Sequence, residues 1–122
     1  MTELYWYKCK GGIWCELQKL DLTHKHLQDM KGVYVMWVEK GANKSVIKVG
    51  NGSIATELEK SKRELAIMAF FSHGLKVSWA EVSSLKMKNI HRYLVNKLEP
   101  KITENTPDST PVECNLPWEA IE

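Results

Sequence analysis

The chain has 122 residues, of which 43% are apolar, and a formal net charge of +2. That is the size of one domain with one core, and too apolar for a disordered chain. No apolar run is long enough to span a bilayer, and the polar, aromatic residues 1–10 lack a signal peptide's apolar stretch. A cytoplasmic protein with no membrane partner is therefore expected. Cys9, Cys15 and Cys114 form no C-x-x-C pair, so no zinc site is expected and the thiols should be reduced packing residues. Residues 102–122 hold five acids and no Lys or Arg, which leaves the first 101 residues with a net charge of +7. A basic body of this kind suits a polyanion partner, or is simply soluble.

In chain order, residues 4–9 and 13–18 alternate around Lys10-Gly11-Gly12, which predicts an N-terminal β-hairpin. Residues 19–31 predict a loop or a short helical turn. Its Thr23-His24-Lys25-His26 stretch has no further ligand at metal spacing. Residues 33–38 are continuously apolar and predict a central strand, and residues 45–49 a second one across a turn at Gly41-Ala42-Asn43-Lys44. Ser53 is placed to cap a helix whose buried stripe is Ile54, Leu58, Ser61, Leu65 and Met68. The end of that helix, residues 65–71, is apolar nearly all round and should be buried, with Gly74 as the stop. Residues 75–82 predict a strand with Val77 and Trp79 on one face. Ser83 or Ser84 can cap a last helix that aligns Met87, Ile90, Leu94 and Leu98 and ends at Pro100. The remainder predicts an irregular, Pro-containing tail that docks through Leu116-Pro117-Trp118.

The fold class expected is therefore α/β of the α+β kind: one domain with a small, mostly antiparallel sheet flanked by helices. Residues 1–31 form the hairpin extension, 32–105 the core and 106–122 the acidic tail.

Within this frame Gly32-Val33-Tyr34 is followed by Lys48-Val49-Gly50, and Asn89-Ile90-His91-Arg92-Tyr93-Leu94 leads to Leu98-Glu99-Pro100. These stretches, in this order and setting, resemble the GIY-YIG nuclease superfamily over residues 32–105. The resemblance implies cleavage of nucleic-acid phosphodiesters with one divalent metal. It calls for an activating tyrosine, a first-helix arginine, a metal-binding glutamate and a second motif tyrosine. Of these, Tyr34 is kept. Lys48, Glu57 and His91 stand at the other three positions, and Asn115 is matched to the family's late asparagine.

The replacements oppose that chemistry. Glu57 puts negative charge where the transition state needs positive charge, a repulsion of about 4 kcal/mol at 4 Å in an effective dielectric of 20. His91 alone is a poor anchor for Mg²⁺, which prefers oxygen ligands. An ion pair between Lys48 and Glu57 is expected to fill the former site. Lys60 lies on the same side of the helix as Glu57, whereas Arg63 does not. His91 sits at the edge of its helix's apolar stripe, either as an acid–base group or as a hydrogen-bonded boundary residue. Tyr34 is likewise either catalytic or a core tyrosine.

Three functions follow. The first is a GIY-YIG-like domain with a degenerate, non-catalytic or weakly active site that binds nucleic acid or a protein through the old groove. Lys48, Lys60, Lys62, Arg63 and Arg92 would be its nucleic-acid contacts, with no cofactor and no metal site. The second is an active nuclease with a rearranged site, which would need a divalent metal and use Tyr34 and His91 as acid–base groups. The third is a protein-interaction or homodimerisation module that works through an exposed hairpin carrying Trp6 and Trp14.

Overall fold

The run from Val33 to Val38 alternates between two cores. In the computed structural model, which describes residues 1–103 and 105–119, Val33, Val35 and Trp37 enter one apolar layer and Tyr34, Met36 and Val38 the other. Successive strand side chains point to opposite faces, so a strand covered on both sides must be apolar throughout. This strand, β2 (Lys31–Lys40), is preceded by β1 (Cys15–Glu16) and followed by β3 (Asn43–Ser53) and β4 (Lys76–Glu81). They form one antiparallel sheet in the order β1-β4-β2-β3. Among the described residues four α-helices, α1 (Lys25–Gln28), α2 (Ile54–Lys62), α3 (Leu65–Met68) and α4 (Met87–Leu98), complete the α+β fold. No helix among the described residues is long and apolar enough to cross a membrane.

One layer packs Ile54 and Leu58 of α2 and Ile67 of α3 on the sheet. The other packs Met87, Ile90 and Leu94 of α4, together with Leu4, Trp6, Cys114 and Leu116 from the two ends of the chain. Two glycines fix the spacing of the strands. A Cβ on Gly32 would lie 1.9 Å from the Ala80 carbonyl oxygen, and one on Gly50 would lie 2.2 Å from the Tyr34 hydroxyl. Tyr34 and Gly50 are register partners, so the phenol lies across the bare glycine backbone.

Several expectations fail. The first helix is two helices, because Arg63 closes α2 and Glu64 is extended (ψ 123°) before α3 begins. That break turns the apolar stripe outward, so Leu65 is 82% and Met68 43% exposed where both were expected in the core. Ser53 stands at the N-cap of α2 without a side-chain hydrogen bond, and the N-cap of α4 is Lys86, after a turn from Ser83, rather than a serine.

The N-terminal hairpin is a compact loop: Cys9 N–H donates to Ile13, while Tyr7 and Leu17 each donate to the backbone of the β4 region. A disulfide joins Cys9 and Cys15, six positions apart, so these two thiols are not reduced. The Gly-Gly turn brings the cysteines to 5.1 Å between Cα atoms. Such bonds persist in oxidising surroundings and are rare in the cytosol, which bears against the expected compartment.

Trp6 is buried and donates from Nε1 to the Asn115 carbonyl, and half-buried Trp14 meets Trp37 edge-on. The pair is therefore part of the core and its rim, not an exposed hairpin surface. The tail docks as expected, with Leu116 buried and Trp118 edge-on to Trp37.

Candidate functional site

β3 is the edge strand, so both layers meet around it. A bulge opposite Met36–Trp37 leaves Ile47 without a partner and pairs Lys48 with Met36. This bulge turns Ile47 and Lys48 to the same face: Ile47 enters the core, and Lys48 reaches toward α2 and α3. From the other layer α4 presents His91. Beyond Pro100, Lys101 and Ile102 donate backbone hydrogen bonds to Val46 and Ile47 and cover the sheet edge.

Tyr34, Lys48, Glu57 and His91, the four positions matched by resemblance, line one cavity of about 70 Å³ with Asn51 and Asn105. It has room for a few water molecules but is far below the roughly 300–1,000 Å³ of small-molecule sites.

The expected pairing inside it is wrong in one partner. Lys48 Nζ lies 2.7 Å from Glu64 and donates to Ser61 Oγ at 3.2 Å, with only 11% of its side chain exposed. Glu57 pairs with Lys60 at 3.4 Å instead. Glu64 stands at the break between α2 and α3, three positions beyond Ser61, and both side chains meet Lys48. Tyr34 is buried, and its hydroxyl is pushed well above the usual phenol range, first by burial and then by the charge of Glu57.

His91 is 3% exposed. The Asn51 amide meets its Nδ1 at 2.6 Å. An amide N–H donates, so Nδ1 accepts and the ring proton sits on Nε2. Nε2 has no hydrogen-bonding partner among the described residues. Burial lowers the His91 pKa to about 4, against a smaller upward push from the Val49 backbone.

The folded ring thus binds fewer protons than the unfolded one between pH 6.5 and 4. Stability is full above that window and is lost as pH falls through it. The expected loss between pH 7 and pH 4 is about 3 kcal/mol. Urea unfolding at both pH values should show it in the wild type, and His91→Leu should lack that component. An equal pH dependence in both proteins would contradict the assignment.

The remaining expected nucleic-acid contacts are engaged within the fold. Arg63 pairs with Glu59 at 2.7 Å, Lys62 donates to the Leu20 carbonyl at 2.8 Å, and Arg92 donates to the Pro107 carbonyl at 3.4 Å. Lys60 and Arg63 stay 69% and 78% exposed, so their pairs are weak and exchangeable.

Asn115 is away from the cavity; its side chain bonds both backbone groups of Leu4. Asn105 lines the cavity, in the left-handed region (φ 56°) that asparagine tolerates better than most residues. Sequence reasoning missed Asn51, Ser61, Glu64 and Asn105. Asn51 lies beyond the strand expected over residues 45–49, where β3 continues to Ser53. No group of three His, Cys, Asp or Glu able to hold a metal occurs among the described residues. His24 instead caps α1 by accepting from His26 N–H.

The chain matches no protein-family model, no curated protein and no solved structure.

Proposed function

We propose that this is a GIY-YIG-like domain whose reaction centre is silent and which binds nucleic acid without cutting it. The observation that carries the reading is the capture of Lys48, one of the residues lining the small cavity, by Glu64 at 2.7 Å. The likeness rests on a strand pair leading into a helix, a further strand and a last helix, with the four matched positions brought around one cavity. Each group there is unfit for phosphodiester hydrolysis. The cation is neutralised, Glu57 repels a phosphate, the Tyr34 hydroxyl holds its proton, and His91 is neutral and buried. Glu57 and His91 alone are a poor Mg²⁺ site.

Nucleic acid is favoured over a protein partner on two grounds. The ion pairs each remove one charge of either sign, so the body's net +7 is untouched. The tryptophan surface that would have met a protein is largely buried.

The test is fluorescence anisotropy with labelled single-stranded DNA, duplex DNA and RNA in Mg²⁺, followed by gels of the same samples. Binding should weaken steeply with salt, since each phosphate contact releases counterions, and the strands should be recovered at full length. Absence of binding at low salt, or metal-dependent cleavage that His91→Ala abolishes, would overturn the reading.

A further inference from the structure

We propose that the Cys9–Cys15 disulfide is a redox-active pair that exchanges with thiols entering the adjacent cleft, with Cys9 as the sulfur attacked. The inference concerns a different part of the molecule and stands whether or not the cavity around His91 is silent.

Four observations converge on it. First, both cysteines line a cleft of about 440 Å³ walled by Tyr7, Leu20, Leu27 and Trp79, a volume in the range of small-molecule sites. Second, the two sulfurs are unequal: Cys9 is half-buried, while Cys15 is 2% exposed and belongs to the core. An incoming thiolate therefore meets Cys9 more readily than Cys15. Third, the loop between them is uncrowded: Gly11 and Gly12 have nothing within 4 Å of a notional Cβ and Ile13 is 65% exposed. Fourth, the bond spans only six positions, and in the chain-entropy account so short a loop contributes least to stability. A bond that does little for the fold, beside a cleft and asymmetrically exposed, is placed for chemistry. Lys8 and Lys10 flank Cys9 in sequence, and cations near a cysteine favour its thiolate.

The step balances as two successive exchanges. A substrate thiolate attacks Cys9 Sγ. The new S–S bond joins substrate to Cys9, the Cys9–Cys15 bond breaks, and its electron pair leaves on Cys15, which takes a proton from water in the cleft. A second thiol then attacks the mixed disulfide, releasing the oxidised substrate and the Cys9 thiol. Two electrons pass from two thiols to the protein disulfide. The substrates are low-molecular-weight thiols or exposed cysteines of peptides. Cys114, buried in the other layer, takes no part.

The experiment incubates the folded full chain in glutathione redox buffers, quenches with an alkylating agent and reads the masses, with circular dichroism as the check on folding. Native protein should open reversibly in millimolar reduced glutathione and gain two alkyl groups while keeping its fold. With oxidised glutathione, Cys15→Ser should form a mixed disulfide at Cys9, and Cys9→Ser should label at least tenfold more slowly. A bond that opens only in denaturant, or two variants that label at equal rates, overturns the proposal. Should a variant fail to fold, the wild-type alkylation alone decides. Repeating the reaction with a cysteine-containing peptide separates the two sources of substrate.

Discussion

Gly32→Ala is expected to abolish the native sheet or to cost well over 3 kcal/mol of stability, beyond the usual penalty for overpacking. The added Cβ would sit 1.9 Å from the Ala80 carbonyl oxygen and 2.9 Å from its carbon. These are backbone atoms of the neighbouring central strand, and the ladder between β2 and β4 holds them in register. No rotamer change relieves such a contact; the strands must separate. Separation would open both apolar layers, since β2 contributes Val33, Val35 and Trp37 to one and Tyr34, Met36 and Val38 to the other. The check is a thermal melt by circular dichroism. A midpoint within about 3 °C of the wild type, a shift worth less than about 1 kcal/mol for a domain of this size, would show that the close approach is wrong.

Asn115→Ala is the second large effect, expected at about 3 kcal/mol or more. The Asn115 side chain accepts from Leu4 N–H at 2.6 Å and donates to the Leu4 carbonyl at 3.0 Å, both buried. Truncation leaves a buried donor and a buried acceptor unpaired, each costing roughly 1–3 kcal/mol. The same contact stitches the two ends of the chain together, next to the Thr2–Cys114 bridge and the Trp6 bond to the Asn115 carbonyl. The acidic tail is fixed to the body by further contacts. It covers α4 through hydrogen bonds to Asn89 and Arg92 and adds Leu116 and Trp118 to the core. Deleting residues 104–122 would remove part of the fold, so neutralising exposed tail acids is the sounder test of their charge. Urea unfolding of Asn115→Ala and Asn115→Asp separates shape from bonding. A loss below about 1 kcal/mol in the alanine variant would show these bonds to be dispensable.

Much of the fold was legible because its signals are local. The apolar run of β2, the turn after it, the period of α4 and its stop at Pro100 all follow from short-range sterics and patterning. What failed depended on tertiary contacts. The stripe from Ile54 to Met68 reads as one helix, yet the chain leaves the helical conformation at Glu64, whose carboxylate finds Lys48 across sixteen positions. The hairpin signal around Gly11-Gly12 was a true turn, closed by the Cys9–Ile13 bond, but beyond it the arms bond the β4 region rather than each other.

The candidate site was legible in its membership. Tyr34, Lys48, Glu57 and His91 line one cavity, reached from β2, β3, α2 and α4. Its internal bonding was not legible. The β-bulge that aims Lys48 leaves no mark in composition, and Asn51 and Asn105 lie in stretches that read only as loops.

The capture of Lys48 by Glu64 is most directly tested by a double-mutant cycle with Lys48→Met, Glu64→Leu and the double variant, read as unfolding free energies at pH 7. For a pair exposed by only 11% and 30%, a coupling of about 1–2 kcal/mol in favour of the pair is expected. A coupling indistinguishable from zero would mean that the ammonium is free to meet a phosphate, and the silent centre proposed here would be contradicted.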